Sequence, residues 1–193
     1  MAAAFYAALL AATAVIAWAA GVDLGEVIFL SSRGLAIGVI AVAPMLPLYF
    51  VAGSLRELVI RVLGGALSRL NLPQLGLLAV LAGVTEECLF RGVLQAWWGR
   101  MHPLAGLIGA NLVFGLLHAV TPLYFVVATA LGFYLSAVAD MDESRNLLAP
   151  IVTHTLYDFL GFVVIAREFR RRTRNAPDLP FADSDADSGP PLV

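Results

Sequence analysis

The stretch that decides the fold places two acids and one arginine inside a long apolar run, and it reads Gly83-Val84-Thr85-Glu86-Glu87-Cys88-Leu89-Phe90-Arg91-Gly92. The apolar run begins near Leu75 and continues to Trp98. Ionisable groups at membrane depth are costly and usually mark a functional site. On a helix, Glu87 and Arg91 are four residues apart with the acid first, so we expect an ion pair. Glu86 is turned about 100° from Glu87 and lacks such a partner, which leaves it available for chemistry.

The composition of the chain predicts an integral membrane protein. Of its 193 residues, 60% are hydrophobic and only 13% are charged, which is far from the usual composition of a soluble globular domain. A chain of this length holds about six spans of roughly 20 residues, with little room for a soluble domain. We therefore expect an all-α membrane protein, a polytopic bundle of about six transmembrane helices surrounded by lipid, with one interfacial amphipathic helix.

Six apolar segments are the predicted spans, and they cover residues 1–20, 34–51, 74–98, 103–119, 122–139 and 150–166. Pro44 and Pro47 predict a kink in the second span. The segment from Ser54 to Leu70 sets charged residues among Leu, Val and Ile, which predicts the interfacial helix. We interpret residues 1–166 as a single transmembrane helical domain. Residues 167–193 are then a basic anchor followed by a disordered acidic tail.

All the positive charge of the chain comes from arginine, and five arginines lie between Arg167 and Arg174, directly after an apolar span. By the positive-inside rule this cluster is cytoplasmic, which predicts a multi-pass protein of the cell membrane with both termini in the cytoplasm. A nucleic-acid partner is not expected, because the rest of the chain is not basic and its net charge is −2. The single cysteine, Cys88, excludes an internal disulfide and a multi-cysteine metal site.

Polar residues recur on three of the later predicted helices. The third helix carries Glu86, Glu87 and Arg91. The fourth carries Asn111, Phe114 and His118, and the sixth carries His154 and Asp158. His154 and Asp158 are four residues apart and share one helix face. None of the polar groups can face lipid cheaply, so we expect all of them to turn toward a shared cavity that holds water.

One carboxylate and two imidazoles can activate water for hydrolysis. Glu86 would take a proton from water as it attacks a carbonyl, His118 would orient the water, and His154 with a neighbour would donate hydrogen bonds to the oxyanion. The same three groups could instead bind zinc, because two histidines and a carboxylate with an open position form catalytic zinc sites. Spacing alone leaves three alternatives: hydrolysis, an ion or proton pathway in a small transporter, and polar pairing without chemistry.

The motifs Glu86-Glu87-xxx-Arg91-Gly92, Phe114-xxx-His118 and His154-xxx-Asp158 follow one another on successive helices. Their combination resembles the CPBP family of intramembrane proteases, which includes the type II CAAX prenyl endopeptidases and the Abi-like bacterial proteins associated with bacteriocin self-immunity. The resemblance covers residues 75–166, which we take as the protease-like core. It implies hydrolysis of a peptide bond in a peptide or membrane-protein substrate, and the alternative within the same fold is a non-catalytic membrane partner or immunity protein.

The resemblance also implies roles for single residues. Glu86 is similar to the catalytic glutamate of the family, His118 to its partner and His154 to an oxyanion-side histidine. Glu87 and Arg91 match the structural pair of the first motif. The implied glutamate mechanism requires no cofactor, although the family was once described as metalloproteases and zinc remains possible.

Position 158 departs from the family pattern, because the prenyl proteases typically carry Asn there. An ionised Asp accepts hydrogen bonds but cannot donate one to an oxyanion. Asp158 could stay protonated, orient His154 or bind a cation. Of the two remaining residues, we expect Asn111 to form an interhelical hydrogen bond and Phe114 to be a wall of the cavity.

Overall fold

The structure is a computed structural model, and it describes residues 2–51 and 53–175. Within these ranges the chain is helical with short connections and has no strand. The α-helices are α1 (Ala2–Ala20), α2 (Ser32–Ile40), α3 (Leu46–Val51), α4 (Gly53–Leu67), α5 (Leu72–Glu87), α6 (Gln95–Gly99), α7 (Pro103–Leu117), α8 (Pro122–Ala139) and α9 (Leu148–Asn175). Two short 3-10 helices, Leu24–Glu26 and Ala43–Met45, lie in connections, and a π-helical segment, Cys88–Leu94, joins α5 to α6.

Local sequence signals start several of these helices. The Asn71 side chain caps α5 by accepting a hydrogen bond from the backbone N–H of Gln74, whose side chain accepts one from the N–H of Asn71. This reciprocal arrangement is a capping box. Ser31 and Thr121 cap α2 and α8 with their hydroxyl oxygens. Helices α5 and α8 therefore begin within two residues of the predicted spans 74–98 and 122–139.

Within the described residues, two helices are long and apolar enough to cross a membrane, Pro122–Ala139 and Leu148–Asn175. A third span is counted if the bent pair Ser32–Leu48 and Gly53–Leu67 is taken as one crossing. Helices Ala4–Ala20 and Pro103–Leu117 are apolar but shorter. The chain thus has the helices of a membrane protein, and the number of six spans stays a prediction.

The predicted second span is not one helix. Helix α2 ends at Ile40, a 3-10 turn containing Pro44 follows, and α3 begins at Leu46. Proline lacks a backbone N–H and crowds the preceding turn, which explains the break at the predicted kink. The predicted interfacial helix is α4, which packs Ile60 and Leu67 against Ile165 of α9; its place at the interface stays a prediction.

Helices α5 and α9 pack closely along their length, and small residues make this possible. A Cβ atom added to Gly83 would collide with the Thr155 hydroxyl of α9. Two glycines on α7 and α8 also lie at close contacts: Gly106 faces the backbone of Gln95, and Gly132 faces Asn111. Glycine at these positions lets backbones approach closely in lipid.

Helix α9 continues without a break past residue 166 and ends at Asn175. The arginine cluster therefore occupies the last turns of the same helix that carries His154 and Asp158. The predicted disordered tail, residues 176–193, lies outside the described residues.

Candidate active site

Glu87 and Arg91 form a fully buried ion pair at the centre of the structure. Nη1 of Arg91 lies 2.8 Å from Oε1 of Glu87, and both side chains have 0% exposure. Nη2 of Arg91 donates to Oδ1 of Asn111 at 3.3 Å and to the carbonyl oxygen of Gly132 at 3.0 Å. The predicted ion pair and the predicted interhelical role of Asn111 are both present. Glu87 therefore supplies the counter-charge of the buried guanidinium, and the neutral oxygens on α7 and α8 accept further hydrogen bonds from it.

The backbone that carries Arg91 is π-helical. The N–H of Gln95 donates to the carbonyl oxygen of Phe90, five residues back. Such segments are rare and are frequently found at functional sites. Gly92 lies in this segment, and a Cβ atom there would come within 2.5 Å of the Leu24 side chain. The sequence analysis assumed α-helical spacing and did not predict the π-helical segment. The ion pair nevertheless forms, between Glu87 just before the segment and Arg91 inside it.

His154 is held between the acids of α5 and its own helix. Its Nδ1 lies 2.8 Å from Oε1 of Glu87, and because a carboxylate only accepts, Nδ1 carries the hydrogen. Its Nε2 lies 3.9 Å from Oε2 of Glu86 and 3.6 Å from Oδ2 of Asp158. Three carboxylates therefore lie around the ring.

His118 approaches Glu86 from the other side. The sequence placed it within the fourth helix, but α7 ends at Leu117 and His118 caps its C-terminus. Nδ1 lies 2.7 Å from the carbonyl oxygen of Phe114 and donates to it, because a carbonyl oxygen can only accept. Its Nε2 therefore faces Glu86, with 3.6 Å to Oε2. The last turn of α7 fixes both the position and the tautomer of this imidazole.

Glu86 lies between the two imidazoles and is only partly shielded from its surroundings. Its Oε2 atom is buried and has no hydrogen-bond partner among residues 2–51 and 53–175. The side chain of Glu86 is 12% exposed, that of Asp158 23% and that of His118 30%. A buried oxygen of this kind calls for a partner.

Phe114 forms a wall of the site, as expected. Its ring centroid lies 4.4 Å from that of His118 and 6.3 Å from that of His154. The Cζ atom of Arg91 lies 4.5 Å from the ring centroid, so the aromatic face also contributes to holding the buried cation. Phe114 thus separates the buried ion pair from the more exposed imidazole.

Two tyrosines near the site were missed by sequence reasoning. Tyr6 of α1 and Tyr124 of α8 lie close enough to Glu86 and Asp158 to interact electrostatically with both carboxylates. Tyr6 could have been found, because its hydroxyl is one of few polar groups in an Ala-rich apolar segment, and such groups avoid lipid. The sequence analysis took residues 1–20 as a uniformly apolar span and therefore did not consider Tyr6.

The residues considered for zinc, Glu86, His118 and His154, are brought together. However, no group of three or more His, Cys, Asp or Glu within the described part of the chain is arranged to hold a metal ion. The imidazole nitrogens stand 3.6 and 3.9 Å from the Glu86 oxygen, with Asp158 close to one of them. The site as it stands does not fit a metal centre, and no step below uses one.

Comparison with known proteins agrees with the motifs. Residues 68–160 match the model of a family described as type II CAAX prenyl endopeptidase Rce1-like. The uncharacterized protein YpbD of Bacillus subtilis (strain 168) is 32% identical over 111 residues. The alignment covers 56% of this chain and 54% of YpbD, so the chain spans about half the length of that relative. No solved structure matches the chain.

The matched region contains the site residues of α5, the π-helical segment, α7 and α9, including Glu86, His118 and His154. The resemblance inferred from the three motifs is therefore confirmed at the level of the family. Residues 68–160 of this chain are thus similar to the Rce1-like family of type II CAAX prenyl endopeptidases.

Proposed function

We propose that this chain is an intramembrane endopeptidase that hydrolyses a peptide bond with water activated by Glu86. The observation that carries the proposal is the position of Oε2 of Glu86, which lies 3.6 Å from Nε2 of His118 and 3.9 Å from Nε2 of His154. A carboxylate flanked by two imidazoles in a largely buried site can move protons to and from a reacting water. The similarity of residues 68–160 to a family of endopeptidases supports the same reaction.

In the first step the oxygen of a water molecule bonds to the substrate carbonyl carbon, and Glu86 takes one of the water protons. His118 orients this water through Nε2, which is free to accept because Nδ1 donates to the Phe114 carbonyl. The carbonyl oxygen then carries the negative charge of the tetrahedral intermediate. His118 therefore acts with Glu86 on the water and not on the leaving group.

His154 stabilises that negative charge. Its Nδ1–H is engaged with Glu87, so in the protonated ring Nε2–H is the group that donates to the oxyanion. Asp158 lies 3.6 Å from this nitrogen and orients the ring, since an ionised carboxylate cannot donate a hydrogen bond itself. When the intermediate collapses, the C–N bond breaks and Glu86 returns its proton to the amine.

Glu87 and Arg91 take no part in bond making. Their role is to position His154 and to tie α5 to α7 and α8 through Asn111 and Gly132. The substrate is proposed to be a peptide or membrane protein, prenylated or not. With the arginine cluster on the cytoplasmic side, as the positive-inside rule favours, both termini of a multi-pass chain would face the cytoplasm of the cell.

The test is a cleavage assay of the full chain in liposomes. Fluorogenic peptides ending in a CAAX sequence, with and without a prenyl group, are the probes. Glu86→Gln is nearly isosteric and removes the general base, so we expect the cleavage rate to fall roughly 10²–10⁴-fold. Glu26→Gln, at an exposed glutamate outside the site, is the matched control and should cleave normally.

The alternatives give different results in the same preparation. A Glu86→Gln protein that melts like the parent and still cleaves would refute the glutamate mechanism. Proton flux into the liposomes that is lost in Glu86→Gln would favour a small proton translocator. Biological activity that survives in both Glu86→Gln and His118→Ala would favour a non-catalytic membrane partner or immunity protein. Metal content of the purified active protein decides between the glutamate mechanism and a zinc-dependent one.

A further inference from the structure

A second candidate site lies at the other end of α5, where the α4–α5 turn meets α9. It is a cavity of about 160 Å³ with an apolar wall formed by Leu72, Leu75, Val163 and Ala166, and with Arg167 and Arg170 at its rim. Leu72 and Glu86 are separated by about 21 Å of helix. The cavity is therefore separate from the proposed active site.

The arginines of the cluster fall into two groups. Arg172 lies 2.6 Å from Glu57 and 3.0 Å from Glu168, and Arg171 lies 2.9 Å from Glu168. Neither Arg167 nor Arg170, the two arginines at the cavity, has a carboxylate at ion-pair distance in the described ranges 2–51 and 53–175. Arg167 and Arg170 thus bring to the cavity positive charge that no carboxylate of the described residues pairs with. Arg174, near the end of α9, also lacks such a pair among these residues but does not line the cavity.

Arg170 is held in place at this rim. Its Nε donates to the carbonyl oxygen of Ser68 and its Nη2 to that of Leu70, both at 3.0 Å. These neutral carbonyls fix the guanidinium against the end of α4 without cancelling its charge. An anion in the cavity would therefore meet an arginine whose orientation is already set, which lowers the entropy cost of binding.

The cavity also lies where the chain changes from apolar to polar. On α9 the continuous apolar run ends at Ala166, and the next residue is Arg167. Leu75 and Ala166 are buried at its inner side, whereas both arginines are exposed. An apolar wall below a cationic rim is complementary to a molecule with a hydrocarbon chain and an anionic head, and this is the level at which lipid headgroups meet a membrane protein.

We propose that this cavity binds the headgroup of an anionic phospholipid, with its phosphate at Arg167 and Arg170 and the start of an acyl chain along Leu72 and Val163. Arginine pairs well with phosphate because its planar N–H groups can bind two oxygens at once. The phosphate of a zwitterionic lipid carries its own counter-charge, so the site should prefer lipids with a net negative charge. The site would anchor the α4–α5 turn and the end of α9 to the membrane surface.

Native mass spectrometry of the full chain, released from nanodiscs with equal amounts of phosphatidylglycerol and phosphatidylcholine, measures the lipid retained. We expect retention of phosphatidylglycerol, with roughly fivefold weaker binding in each of Arg167→Gln and Arg170→Gln, equivalent to about 1 kcal/mol per arginine. Arg171→Gln is the matched control, because it removes the same charge from the same helix but from an arginine paired with Glu168. It should retain the lipid like the parent.

Four outcomes would overturn the proposal. They are an equal loss of lipid in Arg171→Gln, unchanged retention in Arg167→Gln, displacement of the lipid by millimolar inorganic phosphate, and its displacement by an added peptide of residues 176–193. The first two would show that the cavity does not bind the lipid. The last two would identify a free anion or the acidic end of the chain as the occupant. Arg170→Gln also loses two hydrogen bonds to backbone carbonyls, so the melting temperature is measured for every variant. If Arg170→Gln is less stable than the parent, the proposal is judged on Arg167→Gln alone.

Discussion

Glu87 binds Arg91 and His154 through one and the same oxygen. Nη1 of Arg91 and Nδ1 of His154 each lie 2.8 Å from Oε1 of Glu87, although Glu87 and His154 are 67 residues apart in sequence. The orientation of the His154 ring is therefore set by the acid next to Glu86. In this way adjacent glutamates on α5 take different roles: one is proposed to react with water, and the other holds the histidine opposite.

Replacing Glu87 should destabilise the protein strongly. In Glu87→Gln the guanidinium of Arg91 stays buried without a carboxylate, so we expect the free energy of unfolding to fall by roughly 3–5 kcal/mol. Denaturant unfolding in detergent measures this. The double variant Glu87→Gln/Arg91→Met removes the charge as well and should lose less. Equal losses in the single and double variants would show that the unpaired charge is not the cause.

Position 158 tests whether charge or hydrogen bonding orients His154. Asparagine retains an acceptor oxygen and adds a donor, so we expect Asp158→Asn to keep kcat/KM within roughly tenfold of the parent. Asp158→Leu removes both functions and should lose roughly 10²–10³-fold, as when an oxyanion-stabilising group is lost. A shift in the pH profile without loss of folding identifies a positioning role. If Asp158→Asn is as inactive as Asp158→Leu, the negative charge itself is required.

The contact between α5 and α9 at Gly83 should control both stability and activity. A leucine there would collide with Thr155 and crowd the Ile151 carbonyl, which would push Glu86 away from His154. We expect Gly83→Leu to lower the free energy of unfolding by roughly 1–3 kcal/mol and to abolish cleavage. Gly161→Leu, on α9 where a Cβ atom meets nothing within 4 Å, should change neither quantity. A similar loss in both variants would argue against this contact as the cause.

Asp142, in the connection after α8, should make the stability of the folded protein depend on pH in the acid range. The backbone N–H of Glu143 and then the side-chain amide of Asn146 lower the pKa of the Asp142 carboxyl below its ordinary value. The folded state then binds fewer protons than the unfolded state. This contribution to stability is complete above the ordinary pKa of about 4 and is lost as the pH falls through the lowered one. Melting temperatures between pH 6 and pH 3 should therefore fall less steeply for Asp142→Ala than for the parent, and parallel curves would contradict this.

Sequence alone predicted the parts of this protein that depend on local pattern. An apolar composition broken by Glu86, Glu87 and Arg91 requires a helical membrane protein with an inward-facing site, because lipid solvates neither charges nor unpaired backbone groups. The four-residue spacing of Glu87 and Arg91 predicted their contact. The three motifs were sufficient to identify the family that residues 68–160 resemble. The starts of α5 and α8 also lie within two residues of the predicted spans 74–98 and 122–139.

Only the tertiary structure determined how the separate motifs meet. The bond between Glu87 and His154, the position of His118 just past the end of α7 and the approach of Tyr6 all depend on how distant helices pack. The π-helical segment after Glu87 gives no signal in an α-helical periodicity, because its backbone hydrogen bonds run five residues back and not four. Helical periodicity shows which residues share a face of one helix. Which faces meet is determined by the packing of small residues such as Gly83 and Gly132 and by the partners of the buried arginine.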